Sequence, residues 1–284
     1  MDRPSSRRIG IVTDSSSQIT DDLVERYDIE VVPMTVTIDG TDHLEGIGLD
    51  ADTFYRSFEG DSAPEISTSQ PAPGRFAEAY ARVAERGADH IVSIHLSSAM
   101  SGTVDSARLA APDAPIGVTV IDTGSASFGV AVCAWAAGVA IDRGANVDDI
   151  ERRVTNLVPR LATSFMVGAP HLTERGGRAA EVELSDDGIS VLGMADGKLE
   201  VLDRVTTVDD TIDVMSTYAM SWGPGATVAI GTSDGSSRRL SERLERALSG
   251  LDGIDAVIHY RIGPSVGAHT GPGTFGLFVF PTIR

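Results

Sequence analysis

Apolar residues in the first half of the chain follow two rhythms. Short continuous runs, RIGIVTD (8–14), HIVSIHL (90–96) and IGVTVID (116–122), predict strands buried on both faces. Between them, apolar positions three and four apart predict helices. TDDLVERY has Thr20 as a candidate N-cap and acids in its first turn. LDADTFYRSFEG is capped by Asp50 or Asp52 and ended by Gly60. GRFAEAYARVAERG, with Pro73 suited to its first turn, stops at Gly87, and TVDSARLAA (103–111) follows. IEVVPMTVTIDG (29–40) reads as one further strand, closed by an Asp39-Gly40 turn. ASFGVAVCAWAAGVAI (126–141) predicts a buried helix and is short for a bilayer span. This alternation of strand and helix predicts a doubly wound parallel sheet, an α/β fold. Ligands of such sheets sit beyond the carboxyl ends of the strands, where TDSS, LSSAMSGT and DTGSAS fall.

After Asn146 the pattern changes. VDDIERRVTNLVPRL (147–161) predicts a connecting helix and TSFMVGA (163–169) a strand. ISVLGMADGKLEVLDRV (189–205) predicts an antiparallel hairpin around Asp196-Gly197. Helix VDDTIDVMSTYAMSW, strand ATVAIGT, helix SSRRLSERLERALSG and strand DAVIHYRIG follow, then a Gly/Pro-rich loop, GPSVGAHTGPGTFG (263–276), and strand LFVFP. The expectation is an N-terminal α/β domain over 1–160 and a C-terminal α+β domain with a mixed or antiparallel sheet over 161–284.

The chain has 284 residues and a formal net charge of −18, with a sequence pI near 4.6. Such a surface repels nucleic acid and anionic membranes, so neither is expected as a partner. It does not exclude an anionic ligand, because local donors in a pocket outweigh a distant, screened field. The single cysteine, Cys133, lies in an apolar run and reads as a core side chain, which fits a reducing compartment. MDRPSSRRIG has no apolar signal region, and the chain reads as cytoplasmic and not integral to a membrane. Its one lysine, Lys198, sits in DGKLE, so a Walker A loop is absent, as is GxGxxG after the first strand. The six histidines lack HExxH spacing. No metal and no cofactor is expected.

The candidate chemistry lies in SIHLSSAMSGT (93–103), where Ser97, Ser98, Ser101 and Thr103 surround Gly102 without an acid or base among them. Ser101 alone could cap the helix that follows. The whole set, with Thr68 and Ser69, is more than a cap needs. Neutral donors can bind a carboxylate or phosphate without a buried cation, each bond contributing about 1.5–3 kcal/mol. Backbone N–H groups at a helix start add to this, and Gly102 permits close approach. Asp14 suits bonds from the backbone of its own loop. The rival chemistry is a serine hydrolase built from Ser98, His269 and Asp14 or Asp122, but LSSAM lacks the glycines of a nucleophile elbow.

VTDSSS, STSQPAPG, SIHLSSAMSGT, VIDTGSASFG, ERGGR and VGAHTGPGTFG occur in an order that resembles the DegV family across nearly the whole chain. The resemblance implies two α/β domains with a long-chain fatty acid buried between them. Some bacterial members are the fatty-acid-binding subunit of a fatty acid kinase, presenting the carboxylate to a separate kinase that makes an acyl-phosphate from ATP. The chain would then be a lipid carrier and not an enzyme by itself. Carried over, Thr68, Ser98 and His269 form the carboxylate network. Ser69, Ser97, Ser101, Gly102, Thr103, Asp14, Ser15 and Arg178 match the supporting positions. Two stretches depart from the family. AAEVELSDDG follows Arg178 where an apolar helical stretch is usual, and Thr206 stands where an arginine associated with kinase contact is expected. The alternatives are a serine esterase or thioesterase using Ser98 and His269, and a small-anion binder with a reduced lipid pocket. Phe165, Met166, Met194, Phe275, Leu277 and Phe278 are either core or the lining of an acyl tunnel.

Overall fold

A computed structural model describes residues 8–60, 62–170, 172, 188–195 and 198–284. The chain forms two compact units. One comprises residues 1–34, 69–159 and 283–284, the other 35–68 and 160–282.

The first unit is built on a parallel sheet of β1 (Ile9–Asp14), β2 (Glu30–Val32), β6 (His90–His95) and β7 (Gly117–Asp122), in the order β2-β1-β6-β7. Parallel neighbours require crossovers, and helices supply them: α1 (Asp21–Tyr27), α3 (Pro73–Glu85) and α4 (Thr103–Ala110). Phe76, Ala79 and Tyr80 of α3 pack with Val12, Val32 and Ile91 of the strands and Ala107 of α4. α5 (Phe128–Asp142) packs on β1, β6 and α6 (Val147–Leu157). Its apolar residues run round the whole helix because nearly every position is buried, Cys133 included. Burial pushes that thiol up to about 12, which leaves it inert.

The second unit has a six-stranded sheet in the order β10-β9-β8-β13-β11-β12. Its strands are β8 (Ala162–Met166), β9 (Ile189–Ala195), β10 (Lys198–Val205), β11 (Ala226–Thr232), β12 (Ile254–Arg261) and β13 (Phe275–Pro281). Only the β11–β12 pairing is parallel, so the sheet is mixed, as expected. Met166, Phe275 and Leu277 are core, packed with α7 (Asp210–Met220) and α8 (Gly235–Leu248). The expected Asp196-Gly197 turn, Arg178 and the AAEVELSDDG stretch lie outside the described residues, apart from its final Gly188.

Three expectations need correction. The run at 29–40 is two strands, because Pro33 brings no N–H to a ladder. β2 joins the parallel sheet, whereas β3 (Thr35–Ile38) pairs with β4 (Thr41–Leu44) across the Asp39-Gly40 turn. β5 (Ile66–Ser69) completes that three-stranded sheet. The single boundary near residue 161 is replaced by an excursion. Residues 35–68 fold with the second unit because Val36, Leu49, Phe54 and Tyr55 bury their side chains with Ala268. Finally, the Gly/Pro loop contains a helix, α9 (Pro264–Thr270), with Pro264 at its first turn.

Candidate functional site

β6 ends at His95, and the hydroxyl loop begins two residues later. Its backbone donors are mostly used internally. Ser97 N–H donates to Ser125 O at 2.8 Å, and Met100 and Ser101 N–H to Ser97 O at 3.0 and 3.1 Å. Ala99 N–H reaches Ser97 Oγ at 3.2 Å, and Thr103 N–H reaches Ser101 Oγ at 3.3 Å. Ser98 N–H is shared by both carboxylate oxygens of Asp122, at 3.3 Å each. The sequence reading expected amides at the helix start to meet a ligand; no acceptor is seen among the described residues for those of Gly102, Val104 and Asp105. The hydroxyls differ. Ser101 and Thr103 bond each other at 2.9 Å, Ser97 is buried, and Ser98 is exposed. The N-cap of α4 is Gly102, and Ser101, one residue before it, accepts from the first helical amide. Gly102 faces the Gln70 side chain closely: a Cβ there would lie 3.0 Å from Gln70 Nε2.

In the second unit, Thr68 Oγ1 lies 2.9 Å from His269 Nε2. β5 supplies the threonine and the last turn of α9 the histidine. That helix is braced at both ends. Ser265 N–H at its start donates to Glu45 Oε1 at 2.9 Å, and Glu45 is buried. Beyond it, Gly273 N–H donates to Asp234 Oδ1 at 2.9 Å, and Ala169 N–H to Thr270 O at 3.0 Å. Desolvation raises the Asp234 carboxyl, but bonds from Gly273 N–H and the Ser236 and Ser233 hydroxyls outweigh it and hold it below its ordinary value.

Asp14 does not bond its own loop backbone as expected. It is fully buried and accepts from the Ser16 hydroxyl, from His95 Nδ1 at 2.9 Å and from Leu96 N–H at 3.4 Å. Ser15 Oγ accepts from Met34 N–H at 2.9 Å. Ser93, on the far side of His95, completes an Asp–His–Ser spacing, but it is 0% exposed and also bonds Tyr80, so no substrate reaches it. Ser69 is exposed on β5, and Thr206 is exposed too. Sequence reasoning missed Gln70, Glu45, Asp234 and the holding role of Asp122. The acid after each strand or before each helix was the available signal for the last three. Among the described residues no cluster of metal-ligating side chains occurs, and no helix is long and apolar enough to cross a membrane.

A family model described as "Uncharacterised protein, DegV family" matches residues 8–282. The chain belongs to the DegV family. A DegV domain-containing protein of Streptomyces coelicolor is 33% identical over 283 residues, 96% of this chain and 99% of that one. One of Deinococcus radiodurans is 30% identical over 96% of this chain and 98% of its own length. Among solved structures, a DegV family protein of Thermus thermophilus, described by its fatty acid binding, superposes with a TM-score of 0.86 at 29% identity. That match covers 96% of this chain and 99% of the other. A stearic acid-binding protein of Eubacterium ventriosum has the same fold, with a TM-score of 0.86 at 21% identity, covering 97% and 99%. The family match explains the order of the Ser/Thr-rich loops along this DegV chain.

Proposed function

We propose that this DegV protein binds a long-chain fatty acid. Its carboxylate is held by Thr68, His269 and Ser98, and its acyl tail is buried in protein. The observation that carries this reading is the Thr68–His269 bond, which joins two family motifs 201 residues apart. With the imidazole Nε2–H donating to the threonine oxygen, the threonine hydroxyl keeps its own proton to donate to a carboxylate oxygen, and the braced helix holds the pair in place. The Ser98 hydroxyl is exposed and offers a further donor. The described fatty acid binding of the Thermus relative, at 29% identity, supports the same ligand class. The tail contributes by burial, about 0.8 kcal/mol per CH₂. The chain's own part ends with binding: a separate fatty acid kinase takes the presented carboxylate to acyl-phosphate with ATP. Cytoplasmic location belongs to the same reading.

The test is direct. Protein purified from a bacterial host is denatured and extracted with solvent, and the extract is weighed by mass spectrometry. About one fatty acid per chain is expected. An empty protein that also fails to take up oleate or palmitate overturns the reading. Turnover of a nitrophenyl ester that disappears in Ser98→Ala would replace it with a hydrolase.

A further inference from the structure

Inside the first unit a chain of polar groups runs from the loop after β1 into the core. Ser16 donates to Asp14, and His95 Nδ1 meets the other oxygen of that carboxylate at 2.9 Å. His95 Nε2 lies 2.6 Å from Ser93 Oγ, which lies 2.9 Å from Tyr80 Oη. Tyr80 also reaches the Ala107 carbonyl at 3.4 Å. Asp14, Ser93, His95 and Tyr80 are all 0% exposed. The edge of Phe76 against the imidazole, with centroids 5.0 Å apart, fixes the ring plane.

Counting protons shows what this chain preserves. Ser93 and Tyr80 each have one proton to give. With a neutral imidazole carrying its proton on Nδ1, Tyr80 donates to Ser93 and Ser93 to Nε2. With an imidazolium, Nε2 donates to Ser93, Ser93 to Tyr80, and Tyr80 to the Ala107 carbonyl. Both arrangements are complete, and in both Nδ1 donates to Asp14. The hydroxyls reverse; the carboxylate contact does not. Burying a carboxylate and an imidazole is costly, and apolar residues of the same shape would fill the space more cheaply. What they would not do is fix a carboxylate that holds two loops at once, Ser15–Ser17 through Ser16 and Leu96–Thr103 through the Leu96 amide.

We propose that His95 is a positioning residue for the head-group loop. By donating from Nδ1 it fixes Asp14, and Asp14 holds the loops after β1 and β6 in register. The inference rests on the fatty-acid reading for its ligand, but it has a readout of its own.

Two variants separate the ring nitrogens. His95→Asn keeps a donor where Nδ1 stands, and His95→Gln keeps a polar group where Nε2 stands. Hydrogen exchange of residues 14–17 and 96–103 is measured on lipid-free protein, together with global stability in urea and affinity for oleate. The Asn variant is expected to stay within about threefold of the parent in loop exchange and affinity. The Gln variant is expected to exchange in both loops, and to lose oleate, by about tenfold more than its global stability accounts for. Equal losses in the two variants, tracking global stability, overturn the proposal. If the loop difference is present but the parent binds no oleate, the fatty-acid reading fails and the positioning role stands. Should the Gln variant not fold, nitrogen NMR of the parent decides. A proton resident on His95 Nδ1 is expected, and an Nδ1 without one overturns the proposal.

Discussion

Thr68 and His269 illustrate what a single residue can and cannot announce. Their motifs were legible in the sequence. Their mutual bond was not, because nothing in local spacing tells which strand lies beside a helix 201 residues away. Asp14 shows the same limit. Its turn-like setting suggested backbone partners, yet the β1–β6 register, with Thr13 opposite Ile94, brings His95 to it instead. At the head group, one bond to an ionised carboxylate contributes about 1.5–3 kcal/mol. Thr68→Val, which keeps the shape, is therefore expected to weaken oleate binding by roughly ten- to a hundredfold in calorimetric titration, with an unchanged melting temperature. Asp234 titrates. Its folded value lies below its ordinary 3.8, so the stability it contributes is complete above that value and is lost as pH falls through the folded one. Asp234→Asn should be less stable than the parent at pH 7. That gap should narrow in urea melts as pH falls below 3.8, where the unfolded chain's carboxyl takes up its proton before the folded one's does.

Among the elements, continuous apolar runs gave the parallel strands correctly because both faces are covered, and periodic runs gave the helices. The failures share a cause: glycine and proline, read as loop, also open helices and divide strands. Pro33 separates β2 from β3, and Pro264 starts α9. Gly267 stands in that helix because a Cβ would come within 2.5 Å of Tyr55 Oη. Close packing recurs where β8 leaves the sheet. A Cβ at Gly168 would lie 1.8 Å from the Pro272 carbonyl, a backbone atom with little room to yield. Gly168→Ala is accordingly expected to destabilise the fold by about 2 kcal/mol or more. It should lower the urea midpoint at unchanged slope. Because Pro272 lies three residues past His269, the same variant should also bind oleate more weakly. A variant as stable as the parent would show that the Gly271–Gly273 segment shifts freely.

For the whole molecule, the division into two units could be anticipated but not drawn. Periodicity is local, whereas the unit a segment joins depends on which core its apolar face completes, as residues 35–68 show. Net charge, by contrast, is a whole-molecule property that can be read directly, and it discriminates between ways of capturing an acid. The chain carries −18, and a fatty-acid anion approaches it against that field. The field reaches about 30 Å in 0.01 M salt and about 8 Å at 0.15 M. Neutral hydroxyls and an imidazole, the donors proposed for the carboxylate, do not reverse its sign at a distance. They act only once the carboxylate arrives. The association rate of a fluorescent fatty acid, followed by stopped flow below its micelle concentration, should therefore rise several-fold between those two salt concentrations as the repulsion is screened. For a ligand held as proposed, by tail burial and hydrogen bonds, the dissociation rate should change little. A site governed by an exposed cation predicts the opposite slope, since screening would then remove an attraction. An association rate that falls with salt would assign capture to a side chain such as Arg178 and displace the hydroxyl loop from that role.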